Sequence, residues 1–162
     1  MICLAFDPGP KSCGFAVANL TPEMRGRPTF LRGGKVDSAF DSIRCLLDEN
    51  SNVDIVAVET PAGFIHEHAR GAQLLETRGV AGRIDTIARM RSHNVVEMTA
   101  GEWRRQLTGK ANASDAVIKR AVTMFAYGLP KRTNAHMRDA LGLAIVVLRK
   151  PSVPLGCIQE YK

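Results

Sequence analysis

Residues 53–59, Val-Asp-Ile-Val-Ala-Val-Glu, constrain the fold more than any other segment of the chain. A nearly continuous β-branched run of this length is the pattern of a strand covered on both faces, and such strands belong to sheets with helices packed against them. Just before it, residues 38–49 change period, placing Phe40, Ile43, Leu46 and Leu47 on one helical face with Ser38 available as N-cap. A strand reached through a crossover helix pairs in parallel, so this region predicts an α/β sheet.

The flanking segments extend that sheet. Residues 2–6 and 13–18 are apolar and joined by Asp7-Pro8-Gly9-Pro10, which predicts a hairpin; residues 21–28 form a polar, breaker-rich loop and 29–36 supply a third strand. Residues 69–91 predict a long helix, with Ala69, Ala72, Leu75, Ile84, Ile87 and Ala88 at helical spacing and Gly71, Gly79 and Gly82 allowing close approach of another element. A short strand over 94–98 leads into Thr99-Ala100-Gly101-Glu102, a capping box that opens a helix carrying Trp103 and Leu107. Ser114 caps a further helix bearing Val117, Ile118, Ala121, Val122 and Phe125, which Gly128 and Pro130 end, and the last helix runs from near Asn134 to Arg149. The order β-β-β-α-β-α-β-α-α-α predicts one mixed α/β domain over 1–150, a five-stranded sheet flanked by helices, followed by a tail over 151–162 that contains Pro151, Pro154 and Gly156.

Composition narrows the class. A chain of 162 residues, 45% apolar and 23% charged, is globular and of single-domain size. No apolar run approaches the roughly 18 residues that span a bilayer, and residues 1–6 lack the basic start of a secretory signal, so a cytoplasmic protein without a membrane partner is expected. Cys3, Cys13, Cys45 and Cys157 form no C-x-x-C pair and are read as reduced, mostly packing residues. The net charge of +6 permits a polyanionic partner, and the bases are unevenly spread. Arg25, Arg27, Arg32 and Lys35 lie early; Arg104, Arg105, Lys110, Lys119 and Arg120 lie late; Lys131, Arg132 and Arg138 flank His136. Aromatic residues are only 6%, which disfavours a stacking platform for single strands.

Asp7 ends the first strand, Glu59 ends the strand expected beside it, and Asp139 precedes the apolar run of the last helix. Singly, each has a structural explanation: a turn residue before Pro-Gly, a strand emerging into water, an acid in the first turns of a helix. Together they point elsewhere, because the carboxyl ends of adjacent strands in an open α/β sheet line the crevice where ligands bind. His136 and Asp139, three apart, share a helical face and could join them. Converging carboxylates repel unless a divalent cation holds them, and an oxygen-rich set suits Mg2+ or Mn2+. Two such ions roughly 3.5–4 Å apart would activate water and stabilise the leaving oxygen of a phosphodiester, with His136 as ligand or orienter of the water. His66-Glu67-His68 is a weaker ligand set, since its histidines are two apart; Trp103 is read as a packing residue.

Phe6-Asp7-Pro8-Gly9 with Gly14-Phe15-Ala16-Val17, then Val58-Glu59, Thr77-Arg78-Gly79-Val80-Ala81, Leu107-Thr108-Gly109, Asn112-Ala113-Ser114 and His136-x-x-Asp139-Ala140-Leu141-x-Leu143-Ala144, resemble a RuvC-type Holliday-junction resolvase over residues 2–149. The resemblance implies an RNase H-like fold and a homodimer that nicks opposing strands of four-way junction DNA with Mg2+, for which Mn2+ can substitute. It implies catalytic and metal-binding roles for Asp7, Glu59, His136 and Asp139. Arg105, beside Arg104, would stand for a DNA-contacting lysine; a second lysine position holds Asp115, leaving Lys110 or Lys119 to take over its contact. Phe64 is the candidate aromatic wedge, and a branch-migration motor is left open as a partner. The competing readings are an RNase H-like nuclease on another branched or hybrid substrate, a non-cleaving junction-binding protein, and an actin-like ATPase, which would need a second such domain.

Overall fold

A computed structural model describes residues 1–24, 26–61 and 68–149. Its strands are β1 (Ile2–Asp7), β2 (Ser12–Asn19), β3 (Thr29–Asp37), β4 (Ile55–Thr60) and β5 (Asn94–Thr99). Its helices are α1 (Phe40–Glu49), α2 (His68–Met90), α3 (Ala100–Thr108), α4 (Asp115–Phe125) and α5 (Ala135–Arg149). This is the predicted order, and the five strands form one sheet in the order β3-β2-β1-β4-β5. β1 pairs antiparallel with β2 and parallel with β4, the parallel step being the one made through the α1 crossover.

Strand alternation sorts side chains by size onto the two faces of the sheet. One face presents Leu4, Phe6, Val17, Val56 and Val58 and packs on α1 and α2. The other presents Cys3, Ala5, Ala16, Ala18 and Ala57, a floor of small residues on which α5 lies. α5 is buried on nearly all sides, from Met137 to Leu148, because the sheet covers one flank while α3 and α4 cover another. An apolar helix without a polar stripe is the sequence mark of this central position.

At Gly14 the floor rises to the helix itself. A β-carbon there would stand 2.5 Å from the carbonyl carbon and oxygen of His136, so only glycine lets the first turn of α5 rest on β2. Asn134 holds that turn by accepting from the Met137 N–H at 2.8 Å.

Several local expectations are corrected. Ser38 does not cap α1: Ala39 is the N-cap, and the Ser38 hydroxyl instead donates to the Gly9 carbonyl at 2.6 Å, tying down the turn after Asp7. Phe40 is 49% exposed, since the described residues leave the first turn of α1 uncovered. On α2 the buried face is Val80, Ala81, Ile84, Ile87 and Ala88, while Leu75 and Ala72 face outward. Val117 is also exposed, and Ser114 stands at the N-cap of α4 without a side-chain bond. Cys3 and Cys13 are buried and free as expected, but Cys45 lies exposed on α1.

Gly14→Ala is expected to cost roughly 1–3 kcal/mol through forced overpacking beneath α5, measured by urea denaturation. Unchanged stability would show that α5 does not need this close approach.

Candidate active site

β1 and β4 run parallel with Phe6 opposite Val58, so Asp7 and Glu59 emerge side by side at the carboxyl edge of the sheet. Alternation also sets their direction. Asp7 shares the parity of Cys3 and Ala5, and Glu59 that of Ala57, so both belong to the face covered by α5. His136 and Asp139, in the first turns of α5, meet them there.

Each carboxylate has its own donor. His136 Nδ1 and Asp7 Oδ2 are hydrogen-bonded at 2.7 Å; with Asp7 ionised the ring donates, which leaves Nε2 as its remaining ligand atom. Trp103 Nε1 donates to Glu59 Oε2 at 2.7 Å. Arg104 pairs with Asp139 Oδ2 at 2.8 Å, its guanidinium lying 5.2 Å from the Trp103 ring centroid. Both latter donors come from the first turns of α3, which the Thr99–Glu102 capping box starts directly at the end of β5.

Burial acts against all three charges. It raises the Asp7 carboxyl above its ordinary value, the His136 bond opposing it and the Asp139 charge adding to it. Glu59 is pushed up to about 7, first by burial and then by the Asp7 charge, with the indole bond pulling the other way. Asp139 is likewise raised by burial and held back by Arg104. The cluster is short of positive charge despite its donors.

Three carboxylates and an imidazole are a donor set for a hard divalent cation, and the upward shifts of the carboxyls mark negative charge that such a cation would offset. Among the described residues no three acids, histidines or cysteines stand close enough together to hold a metal ion in this arrangement, in which the carboxylates bond to separate donors. In donor chemistry the residues suit a hard divalent cation, and Asp7, Glu59, His136 and Asp139 are the groups that would hold one.

The remaining sequence candidates lie apart or outside the described residues. Arg104, rather than Arg105, is the α3 cation that reaches the acids; Arg105 is exposed near the helix end. Lys110, just past the C-cap Gly109, and Lys119, on the outer side of α4, are exposed. The Asp115 charge adds to the raising of Asp139. Phe64, the side chains of 66–68, Arg25 and the tail 151–162 lie outside the described residues. Sequence reasoning assigned Trp103 to packing. It is fully buried, as expected, but its bond to Glu59 was missed, because no local pattern marks a contact between residues 44 positions apart.

The fold is shared with solved Holliday junction resolvases. The chain superposes on the RuvC of Thermus thermophilus in complex with Holliday junction substrate with a TM-score of 0.73, at 19% identity over 90% of this chain and 92% of that one. It is also similar to the fowlpox virus Holliday junction resolvase (TM-score 0.59, 16% identity, 91% of this chain and 98% of that one). The yeast mitochondrial Holliday junction resolvase is a further likeness (TM-score 0.61, 11% identity, 91% of this chain and 78% of that one). No protein-family model and no curated sequence matches the chain.

The raised carboxyls carry a stability signature. Between pH 4.5, the ordinary value for a glutamate, and about 7, folded Glu59 retains a proton that the unfolded chain has released. Stability of the metal-free protein therefore falls as pH rises through this window, by about 3 kcal/mol for the Glu59 contribution, and levels off above it. Urea titrations in EDTA from pH 4.5 to 8 check this: Glu59→Gln should flatten the fall, and a wild type that gains stability over the same range would contradict it.

Proposed function

We propose that the chain is a structure-specific DNA endonuclease that resolves four-way (Holliday) junctions by paired, divalent-metal-dependent phosphodiester hydrolysis. The observation that carries the reading is the meeting of Asp7, Glu59, His136 and Asp139 from β1, β4 and α5 at one sheet edge, in the fold of the junction resolvases. Mg2+ is the expected cofactor and Mn2+ its substitute; the bound cation supplies an activated water and charge neutralisation at the leaving oxygen. Asp7, Glu59, His136 and Asp139 would hold that cation, His136 being set by its bond to Asp7, and Arg104 would bring a positive charge beside the acids where a phosphate must approach. The exposed Arg105, Lys110 and Lys119 contact the backbone farther out, and Phe64 serves as the wedge that parts bases at the junction.

Two opposed nicks call for two sites, and α2 supports a homodimer. Leu75 and Met90 are 55% and 77% exposed, and between them Gly79 and Gly82 have open space above them, all at helical spacing. Among the described residues no helix is long and apolar enough to cross a membrane. The reading keeps the protein cytoplasmic, where the free thiols stay reduced, and admits a branch-migration motor as a partner.

The test is a mobile four-way junction beside linear duplex, flap and RNA–DNA hybrid controls. Wild type with Mg2+ should place symmetric nicks in the junction alone. Asp7→Asn should lower that rate by about 1,000-fold or more, a loss of several kcal/mol of transition-state stabilisation, while gel shift shows junction binding retained. Cleavage undiminished in the variant would remove Asp7 from the chemistry, and cleavage of hybrid alone would favour the RNase H-like alternative.

Sedimentation velocity tests the assembly: a dimer is expected with junction DNA, and monomer alone at every concentration would contradict it.

A further inference from the structure

Trp103 is the single tryptophan of the chain and is fully buried, yet its one polar atom is aimed at an acid of the site. An indole has a donor and no acceptor, so the direction of its bond to Glu59 Oε2 does not depend on tautomer or pH. The ring has little room to move. Gly142 of α5 leaves the space it fills, since a β-carbon there would stand 2.7 Å from the ring.

Glu59 is joined to the same indole by a second route. β4 and β5 pair with Glu59 opposite Met98 and Thr60 opposite Thr99. Thr99 then starts α3 through its reciprocal bonds with Glu102, and Trp103 is the fourth residue of that helix. The ladder, the cap, one helical turn and the indole bond thus close a loop that passes through the Glu59 side chain. A carboxylate has two oxygens, and a donor fixed on one leaves the other for a cation.

We propose that Trp103 is a positioning residue of the nuclease site: its indole N–H fixes one oxygen of Glu59 and thereby presents the other to a divalent cation held together with Asp7. The inference rests on the metal-dependent nuclease reading. A packing role alone needs the volume of the ring but not its N–H, and this difference makes the proposal testable.

Trp103→Phe removes the donor, and replacement of Trp103 by 3-benzothienylalanine keeps the fused ring while exchanging N–H for sulfur, so the second protects the test if the first fails to fold. Mn2+ is titrated into the full chain and free Mn2+ followed by EPR; junction nicking and metal-free gel shift are measured on the same samples. Both replacements should weaken Mn2+ binding by about 10- to 100-fold and lower kcat, with KM and metal-free junction binding unchanged. In the wild type, the lone indole N–H resonance should shift as Mg2+ is added. Mn2+ affinity and kcat equal to wild type in a folded replacement, or an indole resonance unmoved at saturating Mg2+, overturn the positioning role and leave the nuclease reading standing. A wild-type chain that neither binds Mn2+ nor nicks the junction overturns both.

Discussion

The burial of three neighbouring carboxylates, reinforced by charge repulsion, is the constraint around which this site is arranged. Asp7, Glu59 and Asp139 are pushed toward neutrality by loss of water, and the charges of Asp7 and Asp139 add to that push. Separate donors offset it: imidazole for Asp7, indole for Glu59, guanidinium for Asp139. The residue of unmet negative charge is what a divalent cation would satisfy. In the proposed reading the net charge of +6 takes its meaning from this cluster, since a polyanion would approach acids only with cations among and around them.

The fold creates the constraint and also relieves it. Small residues on one face of the sheet let α5 lie close, and Gly14 brings the start of that helix to the strand beside β1, placing His136 against Asp7. On the opposite flank, α3 begins at the very end of β5, so its first turns overlook the same edge and deliver Trp103 and Arg104 in succession. Gly142 admits the Trp103 ring in the same way that Gly14 admits the His136 backbone. Two glycines and a capping box therefore determine where the site's donors stand.

Much of this was legible in the sequence because it depends on local pattern. The order of elements, the parallel step from β1 to β4, the Thr99–Glu102 box and the positions of Asp7, Glu59 and Asp139 at strand or helix ends follow from periodicity and turn chemistry. Even the facing of Asp7 and Glu59 toward α5 is contained in the alternation of Cys3, Ala5 and Ala57. What escaped depends on contacts between distant segments. Neither the bond of Trp103 to Glu59, 44 residues away, nor the choice of Arg104 over Arg105 as partner of Asp139 has a local signal. Ser38 looked like a cap because serine before a helix usually is one, but the Gly9 carbonyl competes for its hydroxyl. Phe40 and Leu75 fit helical stripes whose ends no described segment covers.

The most direct measurement is a crystal structure of the wild-type chain soaked in Mn2+, with data collected for the anomalous signal of the metal. The expected result is anomalous density among Asp7, Glu59 and Asp139, with the carboxylates turned toward it and the Arg104–Asp139 pair loosened. Saturating Mn2+ with no density at this edge, and all three donor pairs unchanged, would contradict the assignment of these acids as a cation site.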